Sequence, residues 1–158
     1  MIKKIIIAIF LTIFLYGCDY SPMYSSKNLK KINLNIIEIK GDKELNKNIT
    51  SSLNKYFNRD GKEVKLRIIT NYSKNIATRN TKGSISSYNL LANATFNIEI
   101  NDSIDSVLFT ENFVMKNLED NYEKNNYEKT IKKNFSESIT DKLILKIFSL
   151  EWYLNFLK

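Results

Sequence analysis

Residues 88–100 read YNLLANATFNIEI, and this stretch decides the fold. Apolar side chains occupy every second position, and amides, hydroxyls and a carboxylate take most of the positions between them. The apolar set is Tyr88, Leu90, Ala92, Ala94, Phe96, Ile98 and Ile100. Successive side chains of a strand point to opposite faces, so the pattern predicts a strand in an antiparallel sheet with one buried and one wet face.

The neighbouring segments supply partners for this strand. Residues 62–73 alternate in the same way, whereas the polar residues 74–84 predict a loop between the two strands. After a predicted turn at 101–105, a further strand is expected to run to about Leu118 and to form a long hairpin with 88–100. Its apolar positions are Val107, Phe109, Phe113 and Met115.

A strand and a helix are predicted before these three strands. Residues 31–39, KINLNIIEI, predict the first strand, which Gly41 and Asp42 end. Apolar residues then recur at helical spacing: Leu45, Ile49, Leu53, Tyr56 and Phe57. Asp42 is suited to cap this helix, and the polar residues 58–61 are expected to end it.

A second helix is predicted to begin near Tyr127. Either Asn125 or Asn126 is its expected N-cap, and Glu128 is placed for a capping box. Apolar residues step by four over about six turns: Tyr127, Ile131, Phe135, Ile139, Leu143 and Ile147. The apolar tail, residues 151–158, either completes the core or docks on a partner or a membrane surface.

The order of elements is therefore strand, helix, three strands, helix. One face of a sheet of about four mostly antiparallel strands would pack against both helices, which is an α+β two-layer sandwich. No internal repeat is present, and residues 31–158 are expected to form a single domain.

The composition excludes most enzyme chemistries. The 158 residues include no histidine and one cysteine, which rules out Ser-His-Asp and Cys-His sites, common zinc and haem sites, and cysteine pairs. The remaining candidates are carboxylates in polar turns, Glu119 with Asp120 and Asp102 with Asp105. Solvated charge explains both pairs, so we expect neither enzymatic activity nor a bound metal or cofactor.

The formal charge of +7 reflects 24 Lys and Arg against 17 Asp and Glu, but only three of the basic residues are arginine. Nucleic-acid readers rely on the bidentate fork of arginine, so a nucleic-acid partner is not expected. The positive excess is either compositional drift spread over the surface or a basic patch that meets an anionic partner.

Residues 1–17, MIKKIIIAIFLTIFLYG, have the form of a cleaved signal peptide. Two lysines precede an apolar stretch, residues 5–16, which is shorter than the about 20 residues that span a bilayer. The stretch ends in Leu15-Tyr16-Gly17-Cys18, which resembles the lipobox of bacterial lipoproteins. In that motif Leu15 and Gly17 are read by the signal peptidase, and the Cys18 thiol takes a diacylglycerol and becomes the first residue of the mature chain.

Lipidation would turn residues 18–30 into a membrane tether. Diacylglycerol and an N-acyl chain such as palmitate on Cys18 together hold a protein firmly, whereas one chain binds marginally. Asp19 follows the cysteine, and in some Gram-negative bacteria an aspartate there retains lipoproteins at the inner membrane. The alternatives are an ordinary secretory signal with a chance cysteine, or a short membrane anchor.

Three features together resemble the LptE family of lipopolysaccharide-assembly lipoproteins. The lipobox is followed by an aromatic-Pro-x-Tyr element in residues 20–24, YSPMY. The strand beginning Ser87-Tyr88-Asn89-Leu90 is similar to the Tyr-x-Leu and Ala-x-aromatic strand of that family. Residues 112–127 are similar to its passage from the last strand into the last helix.

The resemblance implies a non-enzymatic lipoprotein on the periplasmic face of the outer membrane. LptE-like proteins plug the lumen of the β-barrel translocon LptD and help deliver lipopolysaccharide to the cell surface. Five basic residues are candidates to attract lipid A phosphates: Lys65, Arg67, Arg79, Lys82 and Lys116. A solvated surface explains each of them equally well. The alternative function is an auxiliary lipoprotein subunit of an inner-membrane or envelope transporter, which Asp19 favours.

Overall fold

A computed structural model describes residues 32–56 and 61–156, with side chains described as far as residue 150. The predicted signal peptide and tether, including Leu15, Gly17 and Cys18, lie outside these residues. The elements are β1 (Ile32–Lys40), α1 (Lys43–Leu53), a 3-10 turn (Asn54–Tyr56), β2 (Lys62–Arg79), β3 (Ile85–Ile100), β4 (Ser103–Lys116) and α2 (Asn121–Phe156).

The four strands form one sheet in the order β1-β2-β3-β4. β1 runs parallel to β2, and the other two neighbouring pairs are antiparallel. Both helices pack on the same face of this sheet, and the buried apolar residues lie between the two layers. The predicted α+β two-layer fold, with about four mostly antiparallel strands and two helices on one face, is confirmed.

β3 is the centre of the core because it has a partner strand on both sides. From Leu90 to Ile100 every second side chain is buried, as its alternation predicts. Phe96 is fully buried and lies opposite Ile68 of β2. Ala92 is also fully buried, and its small side chain leaves room for α2 to pack closely over the sheet.

α1 begins where the sequence predicts, because Asp42 caps it. The Asp42 Oδ1 atom accepts hydrogen bonds from the backbone N–H groups of Glu44 at 3.1 Å and Leu45 at 2.8 Å. Gly41 precedes the cap with φ of +107°, a backbone conformation that residues other than glycine rarely adopt. The chain thereby turns from β1 directly into the helix.

The predicted loop at 74–84 is wrong in extent. β2 continues to Arg79 and β3 begins at Ile85, so only residues 80–84 form a turn. The ends of these strands are mostly polar and lack the regular alternation that indicates a strand with one buried face. Cross-strand contacts nonetheless hold them together, and the Thr78 hydroxyl lies 2.6 Å from those of Ser86 and Ser87.

The turn predicted at 101–105 is also shorter than expected. Asn101 and Asp102 have φ of 49° and 63°, and this two-residue turn leads into β4 at Ser103. Two consecutive residues with positive φ match the twist of the flanking strands, and Asn and Asp tolerate this conformation best after glycine.

α2 begins six residues before the predicted start. Asp120 Oδ1 accepts a hydrogen bond from the Glu123 backbone N–H at 2.8 Å, so Asp120 holds the first turn. The predicted caps Asn125 and Asn126 are therefore wrong, and both lie inside the helix. The polar residues that favoured a loop here are the exposed first turns of a helix. The backbone stays helical to Phe156.

Candidate functional site

The sheet face opposite the helices is uncovered in the described part of the chain, and we call it the open face. It is formed by the side chains of the four strands that point away from α1 and α2. Its central members are Lys65, Arg67, Ile69, Asn71, Leu91, Asn93, Thr95, Asn97, Glu99, Ser106, Leu108 and Thr110. A partner could lie flat on this surface.

Cross-strand hydrogen bonds order the polar groups of the open face. The Thr110 hydroxyl donates to Asn93 Oδ1 and the Ser106 hydroxyl donates to Asn97 Oδ1, each at 2.8 Å. The amide nitrogens of the same two side chains are hydrogen-bond donors on this face. The face therefore presents hydrogen-bond donors held in fixed positions.

Apolar side chains interrupt the wet face that the alternation of residues 62–73 and 88–100 predicts. Ile69 is 52% exposed, and β4 adds Leu108 at 60% and Val114 at 61%. β4 carries apolar residues on both faces and lacks a clean alternation, so periodicity alone could not place them. The open face is thus amphipathic rather than uniformly polar.

The turn at residues 80–84, which we call the hairpin tip, is well ordered. Asn80 Oδ1 accepts hydrogen bonds from the backbone N–H groups of Lys82 at 3.0 Å and Ser84 at 2.9 Å. Gly83 has φ of +82°, and the Arg79 guanidinium donates to its carbonyl oxygen at 2.8 Å. Arg79 is therefore fixed across the turn, and Lys82 in the same turn is exposed.

The structure divides the five basic candidates into two groups. Lys65 and Arg67 lie on the open face at the end where β1 begins, whereas Arg79, Lys82 and Lys116 lie at or near the hairpin tip. The twelve residues from Arg67 to Arg79 correspond to about 40 Å of strand. The five residues therefore do not form one site.

Acidic neighbours partly neutralise the first group. Lys65 Nζ is 2.8 Å from Glu99 Oε1, and this hydrogen bond raises the pKa of Lys65. Arg67 lies opposite Glu38 of β1 in the strand register. The hairpin-tip group shows no carboxylate partner among the described residues, so it is the stronger candidate for an anion.

Four side chains join the base of the hairpin to α2, and we call them the polar clamp: Tyr72, Lys74, Glu128 and Lys132. The Tyr72 hydroxyl donates to Glu128 at 2.8 Å, and the Lys74 ammonium pairs with the same carboxylate. Lys132 Nζ lies 4.0 Å from the centre of the Tyr72 ring, a cation–π contact. Glu128, predicted for a capping box, thus links the helix to the sheet.

Two opposing effects set the pKa of Glu128. Burial raises it, but the hydrogen bonds from Lys74 and Tyr72 to the charged form outweigh burial and leave it below its usual value. Burial and the neighbouring Glu128 carboxylate raise the pKa of Tyr72. The ionised glutamate and the neutral phenol are therefore the favoured pair.

The polar clamp makes the free energy of unfolding depend on pH. A carboxyl group whose pKa is lower in the folded state stabilises the fold above its unfolded pKa and loses that contribution as the pH falls through the folded pKa. We expect Glu128→Gln to cost about 2 kcal/mol at neutral pH and to flatten the fall in stability on acidification. Urea unfolding at about pH 7 and about pH 3 measures both effects.

The matched control for this experiment is Glu119→Gln, which removes an exposed carboxylate just before α2. It should leave both the unfolding free energy and its pH dependence close to those of the original chain. An acid response of Glu128→Gln that matched the unmodified chain would contradict the assignment.

Two of the four carboxylates considered as enzyme candidates have structural partners. Asp120 caps α2, and Asp105 Oδ2 is 2.8 Å from Lys146 Nζ. Over residues 32–56 and 61–150, whose side chains are described, no three carboxylates come together as metal ligands. Neither α1 nor the described part of α2 combines the length and the apolar content needed to cross a bilayer.

A mixed four-stranded sheet covered on one face by two helices is also the fold of several bacterial lipoproteins of solved structure. Rare lipoprotein B from Shewanella oneidensis matches with a TM-score of 0.57 and 17% identity, over 79% of this chain and 98% of that one. Lipoprotein B from Nitrosomonas europaea matches with a TM-score of 0.53 and 8% identity, over 85% and 93%.

A lipoprotein from Caulobacter crescentus has a TM-score of 0.51 and 12% identity, over 82% of this chain and 94% of that one. No protein-family model and no curated protein matches the sequence. The likeness is therefore one of fold, and it extends over nearly the full length of each of these lipoproteins.

Proposed function

We propose that this protein is a lipid-anchored lipoprotein of the bacterial outer membrane that assembles with an LptD-like β-barrel in lipopolysaccharide transport. The proposal combines the lipobox at Leu15-Tyr16-Gly17-Cys18 with the domain that follows it. Its fold is shared with proteins named as lipoproteins. The lipobox with residues 20–24, the strand from Ser87 and residues 112–127 resemble the LptE family.

The single observation that carries the proposal is the open face. A sheet surface with ordered amides and scattered apolar residues suits close packing against a partner wall that is itself largely polar, such as the inside of a barrel. Leu108 and Val114 would then be covered, since exposed apolar residues grouped on one surface are typical of a binding surface. The helix layer cannot take this role, because its apolar side already packs on the sheet.

The basic residues of the hairpin tip would face the anionic cargo. Arg79 ends β2, Lys82 lies in the turn that follows, and Lys116 pairs with Ser87 close to the tip. Phosphates on lipid A carry the charge that such residues attract, and fixed arginine binds phosphate with better geometry than lysine does. Lys65 and Arg67 contribute less under this proposal because carboxylates lie beside them.

Co-purification from outer membranes tests the proposal. We expect the tagged full-length chain, extracted in mild detergent, to bring down one large β-barrel protein. Leu108→Glu should abolish the association, because it buries a charge in the interface. The matched control is Leu145→Glu, which places the same charge at an exposed position on α2 and should leave the association intact.

Absence of any barrel protein from the wild-type eluate would defeat the proposal. The second candidate is an auxiliary subunit of an inner-membrane transporter, which Asp19 favours. Separation of the two membranes by density distinguishes these functions, because the second requires the protein in the inner membrane fraction.

A further inference from the structure

The two edge strands of the sheet differ in how well they are protected against pairing with a further strand. β1 has nine residues, and its register with β2 shifts between Ile36 and Glu38. β4 has 14 residues, no shift in its register with β3 and no proline, and no described strand pairs with its outer side. An edge strand presents a row of unpaired backbone N–H and C=O groups, which bulges, prolines and charges normally protect. β4 lacks the first two of these devices.

The side chains that β4 places on the open face are uncharged between its two ends. These residues are exposed, and they are Ile104, Ser106, Leu108, Thr110, Asn112 and Val114. Asp102 precedes the strand in the turn, and Lys116 ends it. Neither Asp102 nor Lys116 forms an ion pair with another described residue. A neutral strand with opposite charges at its two ends is complementary to a copy of itself that runs in the opposite direction.

One antiparallel register of two β4 strands satisfies both ends at once. With a twofold axis at Phe109, Lys116 of each copy lies opposite Asp102 of the other, and Ile104 lies opposite Val114. Nearly the whole strand then has a partner. Moving the axis by one residue toward the end of β4 would set Lys116 against Ile104 instead. Opposite charges and apolar pairs that face each other across strands are the contacts that stabilise a sheet.

The helix layer leaves room for this pairing. α2 contacts both β3 and β4, and neighbouring strands lie about 4.8 Å apart. If each copy of α2 lies between its own two strands, the two helices are about 10 Å apart, close to the usual distance of packed helices. Lys142 reaches Glu111 of β4 at 2.6 Å, and Leu145 is the neighbour of Lys142 on the helix surface. Leu145 is 38% exposed, and the second copy of α2 would cover it.

We propose that the outer edge of β4 is a self-association surface, on which two copies of this chain pair antiparallel about Phe109. The two four-stranded sheets then join into one. The new strand pair adds about a dozen backbone hydrogen bonds. Both open faces lie on the same side of the joined sheet, and both helix layers lie on the other. This inference does not rest on the proposed function, because it concerns the chain before any barrel is bound.

Disulfide cross-linking tests the register. The full-length double variant Ile104→Cys, Val114→Cys is purified in mild detergent and oxidised. Its two cysteines face each other across the interface with about 5 Å between Cα atoms, a distance that a disulfide spans. Within one chain they are about 34 Å apart along β4 and cannot be joined. We expect a covalent dimer on a non-reducing gel, with the peptides of the two positions linked in mass spectrometry.

The matched control is the double variant Ile104→Cys, Asn89→Cys. Asn89 is the partner of Val114 on β3 and lies on the same face. It is therefore two strand spacings, about 10 Å, from Ile104 of the second copy, which is too far for a disulfide. Cys18 is present in both variants, so cross-links through it would appear in both. A first variant that stays monomeric, equal cross-linking of the two variants, or cross-links only to another protein would each overturn the proposal.

Charge reversal tests the two ends of the interface without an added cysteine. Analytical ultracentrifugation of the unmodified full-length chain in mild detergent should show a reversible dimer. Lys116→Glu sets two carboxylates against each other at both ends and should raise the dissociation constant about tenfold.

Lys43→Glu is the control for charge reversal. It makes the same change at an exposed position on α1, which packs over β1 and β2, and should leave the dissociation constant unchanged. A monomeric unmodified chain, or equal shifts in the two variants, would contradict the pairing.

Discussion

Gly41→Ala is expected to destabilise the domain by about 4 kcal/mol or more, which places it among the exceptional single substitutions. A Cβ at this position would lie 1.8 Å from the Thr70 carbonyl oxygen and 2.7 Å from its carbonyl carbon. Those atoms belong to β2, which pairs with strands on both sides, so they cannot move aside cheaply. Positive φ adds strain of about 1 to 3 kcal/mol.

A loss of this size is a large part of the 5 to 15 kcal/mol that typically separates folded from unfolded domains. Urea unfolding followed by circular dichroism measures it. Gly83→Ala is the matched control, because Gly83 also has positive φ but no atom lies within 4 Å of its added Cβ. It should cost only the conformational strain, about 1 to 2 kcal/mol. Equal losses in the two variants would contradict the steric argument.

Cys18→Ser is expected to abolish lipidation completely under the proposed function. Serine offers a hydroxyl instead of a thiol, so the diacylglycerol cannot be attached as a thioether. Labelled palmitate should enter the original chain and be absent from the variant. The variant should also accumulate as a longer precursor that retains residues 1–17, which gel mobility and mass spectrometry detect.

A thiol moved within the chain gives the control for this experiment. Cys18→Ser combined with Ser21→Cys keeps one cysteine but removes it from its place after Leu15 and Gly17. It should remain unlabelled, because the lipobox requires the cysteine at that position. Absence of palmitate from the unmodified chain would refute the anchor and leave the fold unaffected.

The fold could be predicted because the core-forming patterns are strong and local. β3 alternates over its buried length, α1 has a clear cap in Asp42, and α2 repeats apolar residues every four positions. The wrongly predicted elements lie in polar stretches of the sequence. The strand ends at 74–79 and the first turns of α2 at 121–126 carry little apolar periodicity, so their structure depends on partners far along the chain.

The candidate site was predicted less well than the fold. The basic residues could be named from the sequence, but their division into two groups follows from the strand register and the length of the β2–β3 hairpin. The sequence predicted a loop at 74–84 and so missed that length. The polar clamp joins Tyr72 to Glu128 over 56 positions of sequence. No local pattern indicates such a contact, and side chains that meet across two elements become visible only in three dimensions.

The length of the β2–β3 hairpin sets how far Arg79 and Lys82 can reach from the body of the domain. The 18 residues of β2 correspond to about 60 Å of extended chain. Inserting two residues in each strand would extend that reach by about 7 Å and keep every side chain on its present face. Inserting one residue in each would turn the outer part over and point Arg79 to the opposite side. Without a further β-bulge, the reach of this protein can therefore change in evolution only by paired, even steps if its charged end is to keep facing the same way.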